Sequence, residues 1–417
     1  MTKRTDITTS SFNAVRLTND VFWVGAIDWT TRNFHGYNTS RGTTYNAYLI
    51  IGEKVTLIDT VKFPFRDEML ARISSVINPK DICYIISNHA EPDHTGALKW
   101  IIDKVNPEKV FASKMGVKAL NAHYGLNDII TAEDGSELNI GGDLNLSFIN
   151  TPMLHWPDSM FSYLKEKRIL FSQDAFGMHL ASGKRFADEM DKYILCEEAS
   201  KYYANILMPY SKFILKLIEK INSINLQIDI IAPDHGPIYR SSKDIEWISN
   251  MYSSWASKKT ISKTAVIVYD TMWQTTDVMA RAIAEGIELT GATAALYPLQ
   301  SSHRSDIAAA LLKAGALIVG SPTLNNNMFP TVADLLTYIK GLNPTKLIGA
   351  VFGSYGWSGE ATSQIKQILE DMEVKLISEP IKIKYVPKNE DLLSCQQLGR
   401  SIGTQLNKIC IENDKND

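Results

Sequence analysis

The chain has 417 residues, of which 45% are hydrophobic and 21% charged, and a formal net charge of −3. This is the composition of an ordinary globular protein, the charge gives no reason to expect nucleic acid or an anionic membrane as a partner, and the length favours two domains. No secretory signal is visible in residues 1–20 and no apolar run approaches the roughly 18 residues that span a bilayer, so we expect a cytoplasmic protein.

The first part of the chain, up to residue 258, is predicted to contain β-sheets with helices outside them. Short apolar runs bounded by turn residues predict strands, and longer runs between them predict helices. The predicted strands are "YNAYLIIG", "KVTLIDT", "ICYIIS", "KVFAS", "LNLSFIN" and residues 168–172 and 228–232, and the predicted helices cover residues 65–77, 96–105 and 199–221. Strands and helices interleaved in this way favour an αβ/βα sandwich.

The second part, residues 259–410, alternates regularly between predicted strands and helices. A change of character in "ISNMYSSWASKKTISKTA" places the domain boundary near residues 258–262. Five β-α units of this length predict an open, doubly wound parallel sheet, and residues 411–417 are expected to be a disordered tail. The strands are "TAVIVYD", "TAALYPL", "GALIVGS", "KLIGAVFGS" and residues 374–377, and the helices cover residues 277–289, 306–312, 329–339, 359–372 and 391–410.

The four cysteines are widely spaced and include no Cys-x-x-Cys pair. We expect them to be reduced, and to pack in the core rather than to form disulfides. The chain therefore cannot build a rubredoxin-type or ferredoxin-type iron site, because such a site needs paired cysteine thiolates. The cysteines are Cys83, Cys196, Cys395 and Cys410.

The loop "NHAEPDH" follows a predicted strand and concentrates four side chains that can ligate a metal. In an extended chain, positions 89 and 91 point the same way, so His89 and Glu91 can approach one ion together. Asp93 and His94 lie where the next helix begins and point toward a neighbouring position, a division that suits two ions better than one. Solvation of a polar loop is the alternative reason for such residues.

Three further candidate ligands end apolar runs elsewhere in the first part of the chain. They are His155 in "TPMLHWPDSM", Asp174 in "LFSQDAFG" and His235 in "IIAPDHGP". Side chains carried at strand ends converge at one edge of a sandwich, so these three can join the loop. His35, in "NFHGY", can flank the site or serve a structural role, and we expect the remaining histidines not to be ligands: His123, His179 and His303.

Three loops of the second part predict a flavin site. "YDTMWQTTDVMA" lacks the Walker A and GxGxxG patterns, but its hydroxyls and the N–H groups of a helix N-terminus can hold a monophosphate; a threonine-rich helix cap is the alternative. "SPTLNNNMFP" and "GSYGWSGEAT" follow later strands, and FMN binds where such loops gather in a flavodoxin-like sheet. The predicted FMN-binding residues are Thr271, Met272, Trp273, Gln274, Thr275, Thr276, Ser321, Pro322, Thr323, Leu324, Asn325, Asn326, Ser354, Tyr355, Gly356, Trp357 and Gly359.

The order His-x-Glu-x-Asp-His, then His, Asp and His, resembles the metallo-β-lactamase superfamily and, more closely, the flavodiiron proteins (A-type flavoproteins). The resemblance covers nearly the whole chain, through "DWTTRNFHGYNTSRGTTYNAYLI", "NHAEPDHTG", "HWPDSM", "FSQDAFG" and "PDHGPIYR". It implies a metallo-β-lactamase-like di-iron domain over residues 1–258 and a flavodoxin-like FMN-binding domain over residues 259–410.

By this resemblance, one iron would be held by His89, Glu91, His155 and a bridging Asp174. The other would be held by the same Asp174 together with Asp93, His94 and His235. Zinc hydrolases of the superfamily usually have a second histidine where this chain has Glu91. A carboxylate makes the site harder and richer in oxygen, which favours iron.

The implied activity is reduction of O2 to water, of NO to N2O, or of both, with electrons relayed through FMN. A two-electron flavin and two ferrous ions store the four electrons that O2 needs, whereas coupling two NO molecules needs two. Two alternatives stay open: a zinc-dependent hydrolase with an appended flavodoxin domain, and a non-catalytic electron carrier with a degenerate sandwich domain. The sequence does not decide between O2 and NO.

The resemblance also implies a head-to-tail homodimer, alone or within a tetramer, in which the flavin of one subunit faces the irons of the other. The chain contains neither a Cys pair nor a second nucleotide-binding motif. We therefore expect an external electron donor, with a rubredoxin as the first candidate. Neither the donor's identity nor the choice between dimer and tetramer can be read from the sequence.

Overall fold

The computed structural model of the chain describes residues 12–258 and 262–414 and divides into two compact units. Two short segments of the first part, residues 35–38 and 200–211, group with the second unit rather than with the first. The second unit otherwise begins at residue 253. The boundary expected near residues 258–262 falls partly on residues 259–261, which lie outside the described residues, and it stays a prediction.

The first part of the chain contains short strands and seven α-helices within residues 12–258. The strands are β1 (Val15–Arg16), β2 (Val21–Trp23), β3 (Ala26–Asp28), β4 (Asn33–Phe34), β5 (Tyr37–Asn38), β6 (Thr43–Tyr45), β7 (Tyr48–Ile50), β8 (Val55–Ile58), β9 (Ile82–Ser87), β10 (Lys109–Ala112), β11 (Ile129–Thr131), β12 (Glu137–Gly141), β13 (Leu144–Asn150), β14 (Met160–Leu164), β15 (Ile169–Gln173) and β16 (Ile230–Pro233). The helices are α1 (Arg66–Ser74), α2 (Pro92–Thr95), α3 (Leu98–Val105), α4 (Lys114–Tyr124), α5 (Lys192–Tyr202), α6 (Ser211–Ser223) and α7 (Ser242–Ser257).

Two sheets share the core of the first unit. The larger has the strand order β1-β2-β7-β8-β9-β10-β11 and the smaller the order β12-β13-β14-β15-β16. Trp23, Tyr48 and Phe111 of the larger sheet are buried in one cluster with Phe148 and Phe171 of the smaller. The expected sandwich is confirmed, and it brings the ends of several strands to common edges.

The larger sheet is apolar on both faces. A second buried cluster joins its residues Leu57 and Ile85 to Met69 of α1, Ile101 of α3 and Leu120 of α4. A strand that is covered on both sides has no polar face, so it reads as a continuous apolar run. This explains why "ICYIIS" could be recognised as a strand although it does not alternate.

The stretch "YNAYLIIG" was predicted as one strand, but the structure divides it between β6 and β7. Asn46 lies at the division, where its backbone N–H donates to the carbonyl of Asp234 at 2.7 Å. Its side-chain amide donates to the carbonyls of Pro233, at 2.7 Å, and Gly236, at 3.1 Å. The break therefore ties this segment to the loop that carries His235.

The predicted helix over residues 199–221 is also divided. In the structure α5 ends at Tyr202, a π-helical turn covers Tyr203–Leu207, a 3-10 turn covers Met208–Tyr210, and α6 begins at Ser211. Pro209 has no N–H to donate and clashes with the preceding turn of an α-helix. The prediction of one continuous helix was wrong because it passed over this proline. Sequence reasoning also did not identify α4 and β14.

The second unit is built on a parallel sheet with strand order β18-β17-β19-β21-β22, which is the 2-1-3-4-5 order of flavodoxin. The doubly wound fold is confirmed, and in addition β20 pairs with β19 and β23 with β21. Its strands are β17 (Ser262–Tyr269), β18 (Thr293–Pro298), β19 (Ala314–Leu324), β20 (Asn327–Met328), β21 (Ile348–Tyr355), β22 (Lys375–Leu376) and β23 (Ile381–Lys384). Its helices are α8 (Thr275–Glu288), α9 (Arg304–Leu311), α10 (Pro330–Leu342), α11 (Glu360–Asp371) and α12 (Asn389–Asp414).

Two elements of this unit are longer than expected. β19 continues past Ser321 to Leu324, because Thr323 and Leu324 pair with the short strand β20. α12 continues past Cys410 to Asp414, so the expected tail begins as helix, and residues 415–417 lie outside the described residues. Across residues 12–258 and 262–414, no helix is both long and apolar enough to cross a bilayer.

Helices α8 and α12 approach each other closely at glycines. A Cβ atom on Gly286 would lie 2.0 Å from the carbonyl oxygen of Gln396, and one on Gly399 would lie 2.0 Å from the carbonyl oxygen of Ile283. Both obstacles are backbone atoms of the facing helix, so a side chain at either position would push the helices apart. These glycines therefore allow α12 to close one face of the second unit.

We expect Gly399→Ala to destabilise the second unit by about 1–3 kcal/mol, the usual cost of overpacking a filled interior. Gly341→Ala is the matched control, because a Cβ atom there has no neighbour within 4 Å and alanine is favoured over glycine in a helix by up to about 1 kcal/mol. Urea unfolding followed by circular dichroism measures both. Equal effects of the two variants would contradict the close helix approach.

Candidate metal centre and flavin site

The loop after β9 is held by the ends of both sheets of the first unit. Asn88 donates its backbone N–H to one carboxylate oxygen of Asp59, at 2.7 Å, and its side-chain amide to the other, at 2.8 Å. Its amide oxygen accepts a hydrogen bond from the Ser162 hydroxyl of β14, at 2.6 Å. Glu91 is the extended residue before α2, whose first residue is Pro92. These contacts fix the backbone conformation of the loop that carries the four candidate ligands.

All seven candidate ligands come together in the structure, in two neighbouring groups. Within each group, one potential ligand atom from each residue lies within 4.8 Å of the others. Six of the seven side chains are buried and His155 is partly exposed. The groups are His89, Glu91, His155 and Asp174, and Asp93, His94 and His235.

Asp174 connects the two groups. Its Oδ2 atom lies 3.0 Å from Nε2 of His155 and 3.4 Å from Nε2 of His89. Its Oδ1 atom lies 3.2 Å from Nε2 of His94 and 3.4 Å from Nε2 of His235. One carboxylate therefore presents a different oxygen to each group, which is the geometry of a bridging ligand.

Two of the four imidazoles, those of His89 and His235, are oriented by partners at their other nitrogen. Nδ1 of His89 lies 3.1 Å from a carboxylate oxygen of Asp158, and Nδ1 of His235 lies 2.6 Å from the carbonyl oxygen of Thr44. An imidazole that donates from Nδ1 to such an acceptor carries its lone pair on Nε2. The Nε2 atoms of both residues then face the carboxylates as acceptors, ready to ligate a cation.

The second unit contains a cavity of about 400 Å³ at the carboxyl ends of its strands, a volume typical of a small-molecule site. The Asn325–Asn326 turn that forms one wall has positive φ at both residues, 51° and 59°, as a two-residue hairpin between β19 and β20 requires. The predicted residues that line the cavity are Met272, Trp273, Thr275, Pro322, Thr323, Leu324, Asn325, Asn326, Ser354, Tyr355, Gly356 and Trp357.

The other predicted flavin residues do not line this cavity. Thr271 and Gln274 line an adjacent cavity of about 290 Å³. The buried Thr276 hydroxyl lies 3.0 Å from the Ser354 hydroxyl, and the Ser321 hydroxyl donates to the carbonyl of Pro322. A Cβ atom on Gly359 would lie 3.4 Å from the Tyr355 ring. We expect these five residues to fix the conformation of the loops that form the flavin site.

Sequence reasoning missed two residues of the flavin cavity, Ser358 and Tyr385. Ser358 lies inside the quoted loop "GSYGWSGEAT" and could have been included. Tyr385 directly follows β23, a strand that the sequence analysis did not identify. The backbone carbonyl of Tyr385 accepts a hydrogen bond from the Thr275 hydroxyl at 2.9 Å, so it is fixed to the first flavin loop by a contact between distant parts of the sequence.

Known proteins match the chain over nearly its whole length. A family model described as "ODP family beta lactamase" matches residues 43–236, and one described as "Flavodoxin" matches residues 267–399. A nitric oxide reductase from Moorella thermoacetica is 42% identical, over 94% of this chain and 98% of that protein. The structure of rubredoxin oxygen:oxidoreductase from Desulfovibrio gigas is 40% identical, with a TM-score of 0.93 over 95% of this chain and 99% of that one. The flavodiiron protein from Giardia intestinalis is 35% identical, with a TM-score of 0.93 over 96% and 98% of the two chains.

This chain belongs to the flavodiiron protein family. It is an oxidoreductase, and its cofactors are FMN and a di-iron centre. The predicted fold, family and cofactors are thereby confirmed. The roles of individual residues as ligands stay predictions.

The first unit of this flavodiiron protein has buried polar atoms that fit a metal centre. Among the described residues, both carboxylate oxygens of Asp93, Oδ1 of Asp174 and Nε2 of His94 are buried without a hydrogen-bond partner. Buried polar atoms in native proteins are almost always paired. Imidazole nitrogens and carboxylate oxygens together are a donor set that iron accepts, so bound cations would satisfy these atoms.

The electrostatics of the cluster favour positive charge. Burial alone would lower the pKa of His89, but hydrogen bonds with Asp158 and Glu91 raise this pKa well above its usual value. Burial likewise opposes the charged form of His94, yet the charges of Asp93 and Asp174 raise its pKa. The carboxyl pKa of Asp174 is held well below its usual range by these imidazoles, against the effect of burial. A site that stabilises protons on imidazoles in this way also attracts metal cations.

Three histidines outside the two ligand groups, His179, His303 and His35, lie in different parts of the structure. His179, predicted not to be a ligand, is buried with its ring 4.7 Å from that of His235, and its Nδ1 lies 2.9 Å from the Thr43 hydroxyl. Burial and the nearby His235 lower its pKa well below the usual value. His303 caps α9, because it accepts the backbone N–H of Ser305. His35 groups with the second unit, and its suggested role beside the metal site stays a prediction.

Proposed function

We propose that this flavodiiron protein reduces O2 to water, NO to N2O, or both, at a di-iron centre that receives electrons through FMN. The observation that carries the proposal is the position of Asp174, with one carboxylate oxygen turned to each group of ligands. When bound, two ferrous ions and a reduced flavin together supply up to four electrons, the number that O2 needs. The relatives include a nitric oxide reductase and an oxygen oxidoreductase, at 42% and 40% identity.

The proposed ligands of one iron are His89, Glu91, His155 and Asp174. The proposed ligands of the other are Asp174 and the second group, Asp93, His94 and His235. Glu91 supports iron over zinc, because its carboxylate lies 3.3 Å from Nε2 of His89 and 3.2 Å from Nε2 of His155, where it adds a hard oxygen donor to the group.

Six of the seven proposed ligands are buried. His155 is the most exposed of the seven, with 14% of its side chain accessible. A diatomic gas and the protons that its reduction consumes can therefore reach the centre beside His155. The other imidazoles are buried, and those of His89 and His235 are each oriented by a partner at Nδ1, which helps to hold their ligand atoms in place.

The choice between the two gases requires a direct measurement. Anaerobically reduced protein is mixed with O2 or with NO under one donor, and the two turnover rates and their products are compared. Water and N2O are the expected products. Absence of turnover with both gases, in protein that contains FMN and two irons, would reject the proposed function.

We expect the purified protein to contain FMN and about two irons per chain, and Asp174→Ala to lower turnover by more than about 100-fold while FMN stays bound. Loss of a group that only supports a ligand costs about 10–100-fold, and a ligand shared by both ions should cost more. Iron analysis, flavin absorbance and gas-reduction rates measure these effects. Asp103→Ala, in an exposed pair with Lys99, is the control.

Two results would contradict the assignment of a di-iron centre bridged by Asp174. Stoichiometric zinc in protein expressed with iron available would support the hydrolase alternative instead. Near-normal turnover of Asp174→Ala with both gases would show that Asp174 does not bridge the metals.

We further propose that the protein works in the cytosol as a head-to-tail homodimer. The flavin cavity and the metal ligands belong to different compact units, and electron transfer requires close cofactors. Trp273 and Trp357, which line the flavin cavity, are 89% and 84% exposed. Large apolar groups of this kind on a surface often mark an interface, and a two-fold interface creates two equivalent flavin–iron junctions.

Analytical ultracentrifugation is expected to give a mass of at least two 46.6 kDa chains, with turnover per chain falling on dilution as the dimer dissociates. The fall follows because a separated subunit would hold its flavin away from the partner's irons. A monomer with full turnover would contradict the dimer proposal and leave the metal assignment untouched.

We also propose an external donor of the rubredoxin type. The chain has no cysteine pair for an iron–thiolate site of its own, and the structural relative from Desulfovibrio gigas is named a rubredoxin oxygen:oxidoreductase. Reduced rubredoxin is expected to support steady turnover, whereas NADH alone should not. Rapid oxidation of NADH by the pure protein would contradict the need for a separate donor.

A further inference from the structure

The motif "HWPDSM" contains a buried acidic residue, Asp158, besides the proposed ligand His155. Asp158 is only 3% exposed. One of its carboxylate oxygens, Oδ2, lies 3.1 Å from Nδ1 of His89 and accepts the backbone N–H of Ala90 at 2.6 Å. A single oxygen thus binds both the imidazole of a proposed ligand and the backbone next to it.

The two hydrogen bonds act on two ligands of the same group. The bond from Nδ1 keeps the proton of His89 on that nitrogen and leaves Nε2 as the acceptor, 3.3 Å from Glu91 and 3.4 Å from Asp174. A carboxylate partner also makes the imidazole a stronger base. Ala90 stands between His89 and Glu91, so its fixed N–H restricts the backbone that carries Glu91.

Asp158 is itself anchored from the other side. Its backbone carbonyl accepts the Ser113 hydroxyl at 2.6 Å, and Ser113 caps α4 by accepting the N–H of Gly116 at 3.0 Å. Asp158 lies in the loop that begins with His155, and within this loop Ser159 donates its N–H to the carbonyl of Trp156 at 3.2 Å. The proposed ligand His155 therefore lies in the same loop as Asp158.

The other group of ligands is supported by different contacts. His94 has Asp234 near its Nδ1 atom, but at 3.4 Å. Within the described part of the chain, neither carboxylate oxygen of Asp234 has a hydrogen-bond partner. His235 donates from Nδ1 to a backbone carbonyl instead of a carboxylate. The supporting contacts of the two groups are therefore unequal.

We propose that Asp158 is the positioning residue of one metal position only, the one formed by His89, Glu91, His155 and Asp174. Asp158 touches neither the metal nor the substrate. It sets the tautomer of His89, restrains the Glu91 backbone and connects the loop of His155 to the His89–Ala90 segment. The metal position of Asp93, His94 and His235 forms without it. The inference rests on the proposed di-iron site and adds that its two positions depend on different supports.

Asp158→Ala tests this dependence in the iron-loaded holoprotein under anaerobic conditions. We expect the iron content after challenge with a chelator to fall from about two to about one per chain, with retention of the lost iron weakened by about 10–100-fold. The electron paramagnetic resonance signal of the mixed-valence pair, which requires two coupled irons, should disappear. The FMN content should not change, because the flavin cavity lies in the other unit.

Asp158→Asn is the conservative variant. Its side-chain oxygen can still accept from His89 and Ala90, so it should keep two irons, with retention between that of the wild type and that of Asp158→Ala. If Asp158 only stabilises the fold, Asp158→Ala should lose both irons equally together with a lower melting temperature. That result, or wild-type retention of both irons, would overturn the proposal.

The iron content of the wild type separates this inference from the proposed function. A wild type without two irons would reject the di-iron assignment and the inference with it. A wild type with two irons and normal turnover, beside an Asp158→Ala variant that keeps both, would reject only the role of Asp158.

Discussion

The burial of negative charge is the constraint on which the first unit depends. Glu91, Asp93 and Asp174 lie away from water, where an ionised carboxylate costs several kcal/mol unless it is paired. Four imidazoles surround them, and although burial opposes the charged form, the nearby carboxylates raise the pKa of His89, His94 and His155. The cluster therefore favours cations. Such a cluster persists only where the surrounding fold holds each group in place.

Two buried asparagines provide much of that support. Asn88 joins Asp59, beyond the end of β8, to Ser162 of the smaller sheet, and Asn46 joins the indole of Trp23 to the carbonyl of Pro233 at the end of β16. Each side-chain amide donates through its N–H group and accepts through its oxygen. Its polar atoms are therefore hydrogen-bonded, and the bonds link segments that are far apart in sequence. These hydrogen bonds connect the segments at the edge of the sandwich where the ligands meet.

Local patterns were sufficient where a residue's environment follows from its neighbours in sequence. "ICYIIS" was recognised as a buried strand, and the alternation of residues 264–376 indicated a doubly wound sheet. Patterns failed where distant contacts decide: "YNAYLIIG" is divided because Asn46 binds Pro233 and Asp234. β23, and with it Tyr385 in the flavin cavity, was missed because its pairing with β21 depends on the completed sheet.

The sequence by itself determined the family, the two kinds of fold and the seven candidate metal ligands, because the chemistry of a dinuclear site demands particular side chains at the ends of particular strands. Only the tertiary structure decided which oxygen of Asp174 faces which group, and that Asp158 supports His89 from behind. Such pairings join residues far apart in the chain. The oxygens of Asp174 lie 3.0–3.4 Å from the imidazole nitrogens that they face, and no spacing along a sequence can specify contacts of this kind.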